Sequence, residues 1–122
     1  MRTIKQKDGS DCGVACVAML TGAPYDEVRS AVYPSDRSKL THTKDLHAAL
    51  LKFGRKPLTE RRMPFGAKTP ADIGHDALIF VKMGKKGDGK GHWIVWDAKA
   101  GKLRNPDQPE KPYRMRGYMA VE

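Results

Sequence analysis

Residues 14–20, Val-Ala-Cys-Val-Ala-Met-Leu, carry no charged or strongly polar side chain. Seven residues make about two helical turns, and a helix that is apolar all round has no face to turn to water, so it must sit at the centre of a fold. Asp11 stands where an N-cap would, and Gly22 where a left-handed stop would. The spacing therefore predicts a buried helix from Cys12 to near Gly22. The run is about a third of the roughly 20 apolar residues that a membrane span requires, so the expected surroundings are a protein core. A chain of 122 residues, 39 % of them hydrophobic, suits one domain, residues 1–122, around one core.

The remaining pattern is helices first and strands afterwards. Pro24 opens a second helix, with Asp26 and Glu27 in its first turn and Val28, Ala31 and Val32 facing inward, and Pro34 ends it. Residues 34–42 read as a polar loop. Thr43 is the expected cap of a third helix running to Phe53 and closed by Gly54, with Leu46, Leu50 and Phe53 as its apolar stripe. Strands are expected over 56–62 (a short edge), 77–83, 92–97, 102–105 and 113–121. This order predicts an α+β fold, a central buried N-terminal helix packed on an antiparallel sheet.

Only two cysteines are present, Cys12 and Cys16, four residues apart in the same predicted helix. A bridge there would need unusual geometry, so both are expected as free thiols. The commonest use of a free thiol is as a small buried hydrophobe. Cys16, one turn inside the apolar run, fits that use. Cys12 is different: at a helix N-terminus, unpaired N–H groups and the positive end of the dipole favour a thiolate. A nucleophilic thiol also needs a base. His42 lies in a loop, His47 on the third helix and His75 in the loop 73–76. His92 starts a strong strand directly after the glycine-rich segment 84–91, where substrate access and rigid support meet.

A base needs a partner for its second ring nitrogen. A turn at 98–101 makes a hairpin in which Asp97 faces Lys102, Asn105 lies opposite Ile94 and Asp107 opposite His92. Asn105 then shares a side of the sheet with His92, while Asp97, five residues from His92, points the other way and reads as hairpin surface charge. A one-residue slip reverses this assignment.

The run Gln6-Lys-Asp-Gly-Ser-Asp-Cys12-Gly-Val-Ala-Cys16-Val-Ala-Met19-Leu20 resembles the start of the double-glycine leader peptidases, papain-like cysteine peptidases that process bacteriocin leaders. The downstream His92-Trp93-Ile94-Val95 and Asn105-Pro106 are similar to the second half of that pattern. The resemblance implies a papain-like fold and a peptide or protein substrate. Cys12 would be the nucleophile, His92 the base and Asn105, where the family more often has Asp, the residue that orients it. Gln6 would be a side-chain donor to the oxyanion. It implies no cofactor and no metal. Relatives with such a site also deamidate glutamine or transfer acyl groups, and this chain carries neither transporter segments nor an ATP-binding domain.

Charge supplies the competing reading. Lys and Arg number 23 against 14 acids, a formal net charge of +9, which suits an acidic partner protein or nucleic acid. Arg114 and Arg116 interleave with Tyr113 and Tyr118, a combination that supports stacking and phosphate contact, so a non-catalytic basic binding module is the alternative to an enzyme. Zinc is not expected, since no CxxC or HxxxH accompanies the two thiols. Gly84-x4-Gly89-Lys90-Gly91 lacks the Ser or Thr of a phosphate-binding loop and precedes a strand instead of a helix. No apolar segment suits a signal peptide near the N-terminus, and the expected location is cytoplasmic, with no membrane partner.

Overall fold

The computed structural model describes residues 1–33, 42–107 and 111–122. Three helices come first: α1 (Cys12–Thr21), α2 (Tyr25–Val32) and α3 (Thr43–Lys52). Five strands follow: β1 (Met63–Pro64), β2 (Asp76–Met83), β3 (Gly91–Asp97), β4 (Lys102–Arg104) and β5 (Tyr113–Val121), with a 3₁₀ turn at Pro70–Ile73 between β1 and β2. The strands form one antiparallel sheet in the order β1-β5-β2-β3-β4. The chain is thus α+β, with the uniformly apolar helix where its composition requires it. Every residue of α1 from Cys12 to Leu20 is buried, between the sheet on one side and α2 and α3 on the other. Gly22 stops the helix at φ 74°, and its N–H returns to the Ala18 carbonyl.

Alternation along the strands separates two apolar layers. Leu78, Trp93, Val95, Met119 and Val121 pack with the helices. Ala77, Ile79, Val81, Ile94, Tyr118 and Ala120 point to the opposite face. There Phe65 and Ile73 from the segment between β1 and β2 lie against them, with the Phe65 and Tyr118 rings 4.9 Å apart. Both faces of β2 and β3 are covered, which is why these strands read as nearly continuous apolar runs.

Several boundaries differ from the sequence reading. Residues 56–62 form no strand beyond a single bridge between Pro57 and Val121; the edge strand is Met63–Pro64, paired with Gly117 and Tyr118. The Leu58 N–H donates to the Ala120 carbonyl and the Glu122 N–H to the Lys56 carbonyl on either side of that bridge. Asp11 precedes α1 but makes no side-chain cap bond; its Oδ2 accepts from the Tyr25 hydroxyl at 3.0 Å and Arg29 Nε at 3.4 Å, tying α2 to the start of α1. Thr43 is the first residue of α3 and not its cap: His42 precedes the helix, and its backbone N–H donates to Asp45 Oδ2 at 3.2 Å. On α2 only Val28 is fully buried, with Ala31 and Val32 half-buried. Pro34 and nearly all of the expected polar loop, 34–41, lie outside the described residues.

Asp97 is the largest correction. It pairs with Lys102 in the hairpin, as the turn at 98–101 requires, but it is 4 % exposed and no surface charge. Its Oδ2 accepts from Arg104 Nη2 at 2.8 Å and Nε at 2.9 Å, Arg104 Nη1 reaches Thr3 Oγ1 at 3.0 Å, and Ala100 N–H donates to Oδ1. Burial works against the charge, but these donors outweigh it and hold the carboxyl below the ordinary carboxylate range. The pair fixes the hairpin and the N-terminal segment together. Asp97→Ala leaves Arg104 buried and unpaired, and we expect it to lower unfolding free energy by about 3–5 kcal/mol in urea titration.

Candidate active site

The segment before α1 is shaped by short hydrogen bonds. Asp8 turns the chain, its Oδ1 accepting from the Ser10 N–H at 3.1 Å and its carbonyl from the Asp11 N–H at 3.0 Å. Tyr33 donates its hydroxyl to the Ser10 carbonyl, and the Lys7 N–H donates to the Tyr25 hydroxyl. Helix α2 therefore clamps residues 7–11 and fixes where α1 begins. Cys12 is the first residue of that helix and the least buried of its apolar stretch, at 8 % exposure.

Cys12 and His92 open on one cavity of about 630 Å³, with Gln6, Ser10, His42 and Asp107 also on its walls. Among the described residues no hydrogen bond joins the Cys12 sulfur to the His92 ring. His92 Nε2 lies 2.8 Å from Asn105 Oδ1, and both residues are buried. The same Oδ1 accepts the Asp107 N–H at 2.9 Å. A backbone N–H can only donate, so that corner of the Asn105 amide is its oxygen, and His92 Nε2 must then carry a hydrogen. The tautomer that this bond selects has its bare nitrogen at Nδ1, the nitrogen a proton acceptor needs.

The ladder between β3 and β4 ends at Val95 and Arg104, so neither Asn105 nor Asp107 is a ladder partner. The chain leaves the sheet at Asn105, and Gln6 N–H to the Pro106 carbonyl at 3.0 Å moors this exit to the N-terminal segment. Gln6 and Asn105 are thereby neighbours through backbone, although 99 positions apart in sequence. Gln6 Nε2 donates to the Asp8 carbonyl at 3.1 Å, which occupies one of its two amide hydrogens. Gln6 Oε1 and Asn105 Nδ2 are buried, with no hydrogen-bond partner among the described residues. Of the two residues Gln6 lies on the cavity wall, and Asn105 stands behind the wall residue His92.

The thiol is not the pre-formed thiolate that a helix N-terminus suggests. Burial pushes the Cys12 pKa above its ordinary value of 9.0, against the Trp93 and Gly13 N–H groups, its own N–H and the Lys90 charge, which all favour the anion. At neutral pH Cys12 therefore rests as a thiol. Cys16, fully buried one turn deeper, is pushed up further by burial and packs in the core. His75 lies exposed in its loop, and His47 is half-buried on α3.

Sequence reasoning missed His42 as a cavity residue, because nothing local ties the residue before α3 to α1. It also missed that Asp11 orients α2, since a buried Asp beside Tyr25 and Arg29 is legible only after the helices are packed.

No protein-family model matches the chain, and no curated protein matches it.

Four buried or half-buried acids of high pKa surround α1. Besides the two thiols, burial raises Tyr25 strongly and pushes Tyr33 up to about 12. The unfolded chain ionises these groups first as pH rises. The stability they contribute is therefore complete below the ordinary thiol pKa and is lost as pH climbs above it. We expect the urea midpoint to fall steadily from pH 8 to about 10.5, with a shallower slope in Cys16→Ala.

Proposed function

We propose that the protein is a cysteine-nucleophile hydrolase acting on peptide or amide bonds, on a papain-like arrangement of helix and sheet. One observation carries this reading: Asn105 holds His92 in the tautomer whose free Nδ1 can take a proton, and the ring opens on the same cavity as the thiol at the start of α1. Nδ1 of His92 removes the Cys12 proton as the sulfur attacks the carbonyl carbon, forming the S–C bond and leaving the electron pair on oxygen. That oxyanion meets the Cys12 N–H, which has no partner within the helix, and the remaining amide hydrogen of Gln6. Collapse breaks the C–N bond, and the imidazolium returns the proton to the leaving amine. Water, deprotonated by the same nitrogen, then cleaves the thioester and frees the thiol.

The raised thiol pKa gives His92 a larger task than in a site with a standing ion pair. The proton must be moved as the substrate arrives, when the carbonyl begins to accept charge and water has been displaced. Asn105 fixes the ring without a negative charge, so it stabilises the imidazolium less than a carboxylate would.

A peptidyl ketone probe that alkylates thiols tests the reading by intact mass and rate. Labelling should fall on Cys12, disappear in Cys12→Ala and slow at least about 10²-fold in His92→Ala. Unchanged labelling of Cys12 in His92→Ala would falsify the assignment. Asn105→Ala should slow labelling by one to two orders of magnitude, about 1.4–2.8 kcal/mol. Asn105→Asp should keep most of the rate, because the lost Nδ2 has no partner among the described residues to abandon.

A further inference from the structure

A second cavity of about 460 Å³ adjoins the first, sharing Phe80 and Lys82 with it. Its walls carry Arg62, Lys82 and Arg116, and Lys90 and Lys111 continue the same charge around the thiol cavity. Among the described residues none of these five cations is ion-paired with a carboxylate. Among the described residues Asp107 is the acidic side chain on the walls.

Two of the cations are held in defined orientations. The Arg62 guanidinium lies 4.1 Å from the centre of the Phe80 ring and 5.9 Å from that of Trp93, and these rings meet edge to face at 5.0 Å. Stacking on a ring face orders the guanidinium and leaves its N–H edges open. Arg116 is the extra residue of a bulge: Phe80 pairs with Gly117 and Val81 with Met115. Its Nη2 donates to the Gly87 carbonyl at 2.7 Å, which fixes the side chain and leaves other N–H groups for a ligand. Gly117 forms the floor, where an added Cβ would come within 3.2 Å of the Met63 carbonyl. The Phe80–Trp93 stack leads straight to the thiol, because the Trp93 N–H faces Cys12 and His92 is its neighbour.

We infer that this groove binds the carboxylate side chains of an acidic segment flanking the scissile bond, so that the enzyme selects acidic peptides. The inference rests on the proposed hydrolase reading. An ordered guanidinium with a free edge matches a carboxylate in two parallel hydrogen bonds, which a scattered basic surface does not offer. Among the described residues the walls carry one Phe–Trp pair, packed edge to face, and the Arg62 guanidinium lies over the Phe80 ring, so that ring face is taken by a cation and not offered to a nucleic-acid base.

The test compares two peptidyl ketone probes that differ only in Glu or Gln at the positions beside the reactive carbonyl. The wild type should be labelled at Cys12 about tenfold faster by the Glu probe at low salt, and the preference should shrink as salt rises. In Arg62→Gln/Arg116→Gln the Glu-to-Gln ratio should fall to about one, while Arg62→Lys should keep part of it, as a charge without the fork. Equal labelling by both probes in the wild type, with His92→Ala still slowing both, overturns the acidic specificity and leaves the hydrolase standing. Labelling that ignores His92 removes the hydrolase reading itself. A single-stranded oligonucleotide that blocks labelling more strongly than a Glu-rich peptide of equal charge overturns the choice of partner.

Discussion

Everything in this molecule depends on wrapping a helix that has no polar side. Val14, Ala15, Cys16, Val17 and Ala18 are completely buried. An amphipathic helix needs one partner; this one needs cover all round, and the chain supplies it with two helices and a sheet. The buried environment runs to the first residue of the helix. Its N-terminus is the place where a side chain can meet both the core and a cavity, and Cys12 occupies it. Asp11 then serves neither as cap nor as part of the core. It anchors α2 across the helix start, and the free first-turn N–H groups face the thiol instead of a capping oxygen.

Much of this was legible in the sequence, and the reasons differ by element. The bounds of α1 followed from a composition that allows one environment only. The hairpin followed from a turn containing Gly101, whose φ of 66° suits glycine, and period-two alternation then put Asn105 on the side of His92. Residues 56–62 misled because the place of a short edge strand is decided by the strand it pairs with, and β5 takes Met63–Pro64. Asp97 misled for a related reason. A charge at a hairpin end usually meets water, and its partner Arg104 is seven positions on, inside a strand whose other contact, Thr3, lies at the far end of the chain. Long-range partners of buried charges leave no local trace.

The site itself divides in the same way. Types and spacing suggested Cys12, His92 and Asn105, and the family resemblance suggested Gln6, but none of this gave their states. Whether a thiol at a helix start is an anion depends on the balance of dipole, N–H donors and desolvation, and here desolvation dominates. The tautomer of His92 could not be read from sequence either. It follows from a single extra hydrogen bond, the Asp107 N–H to Asn105 Oδ1, which identifies the amide oxygen and hence the protonated ring nitrogen.

That neutral orienting residue has a consequence for the proposed groove. A carboxylate at position 105 would stabilise an imidazolium more strongly, but it would also place a fixed negative charge behind His92, beside Asp107 and close to Lys90 and Lys111. In the low-dielectric wall of a cavity, such a charge reaches further than in water and would repel an incoming anionic segment. Asn105 supplies orientation through a dipole alone, so the cavity keeps the positive potential of its rim. A thiol at rest works in the same direction, adding no standing thiolate to oppose the substrate. In the proposed chemistry, slower proton abstraction and stronger attraction of an acidic chain are therefore two results of one choice: an amide in place of a carboxylate behind the base, and a thiol in place of a thiolate before it.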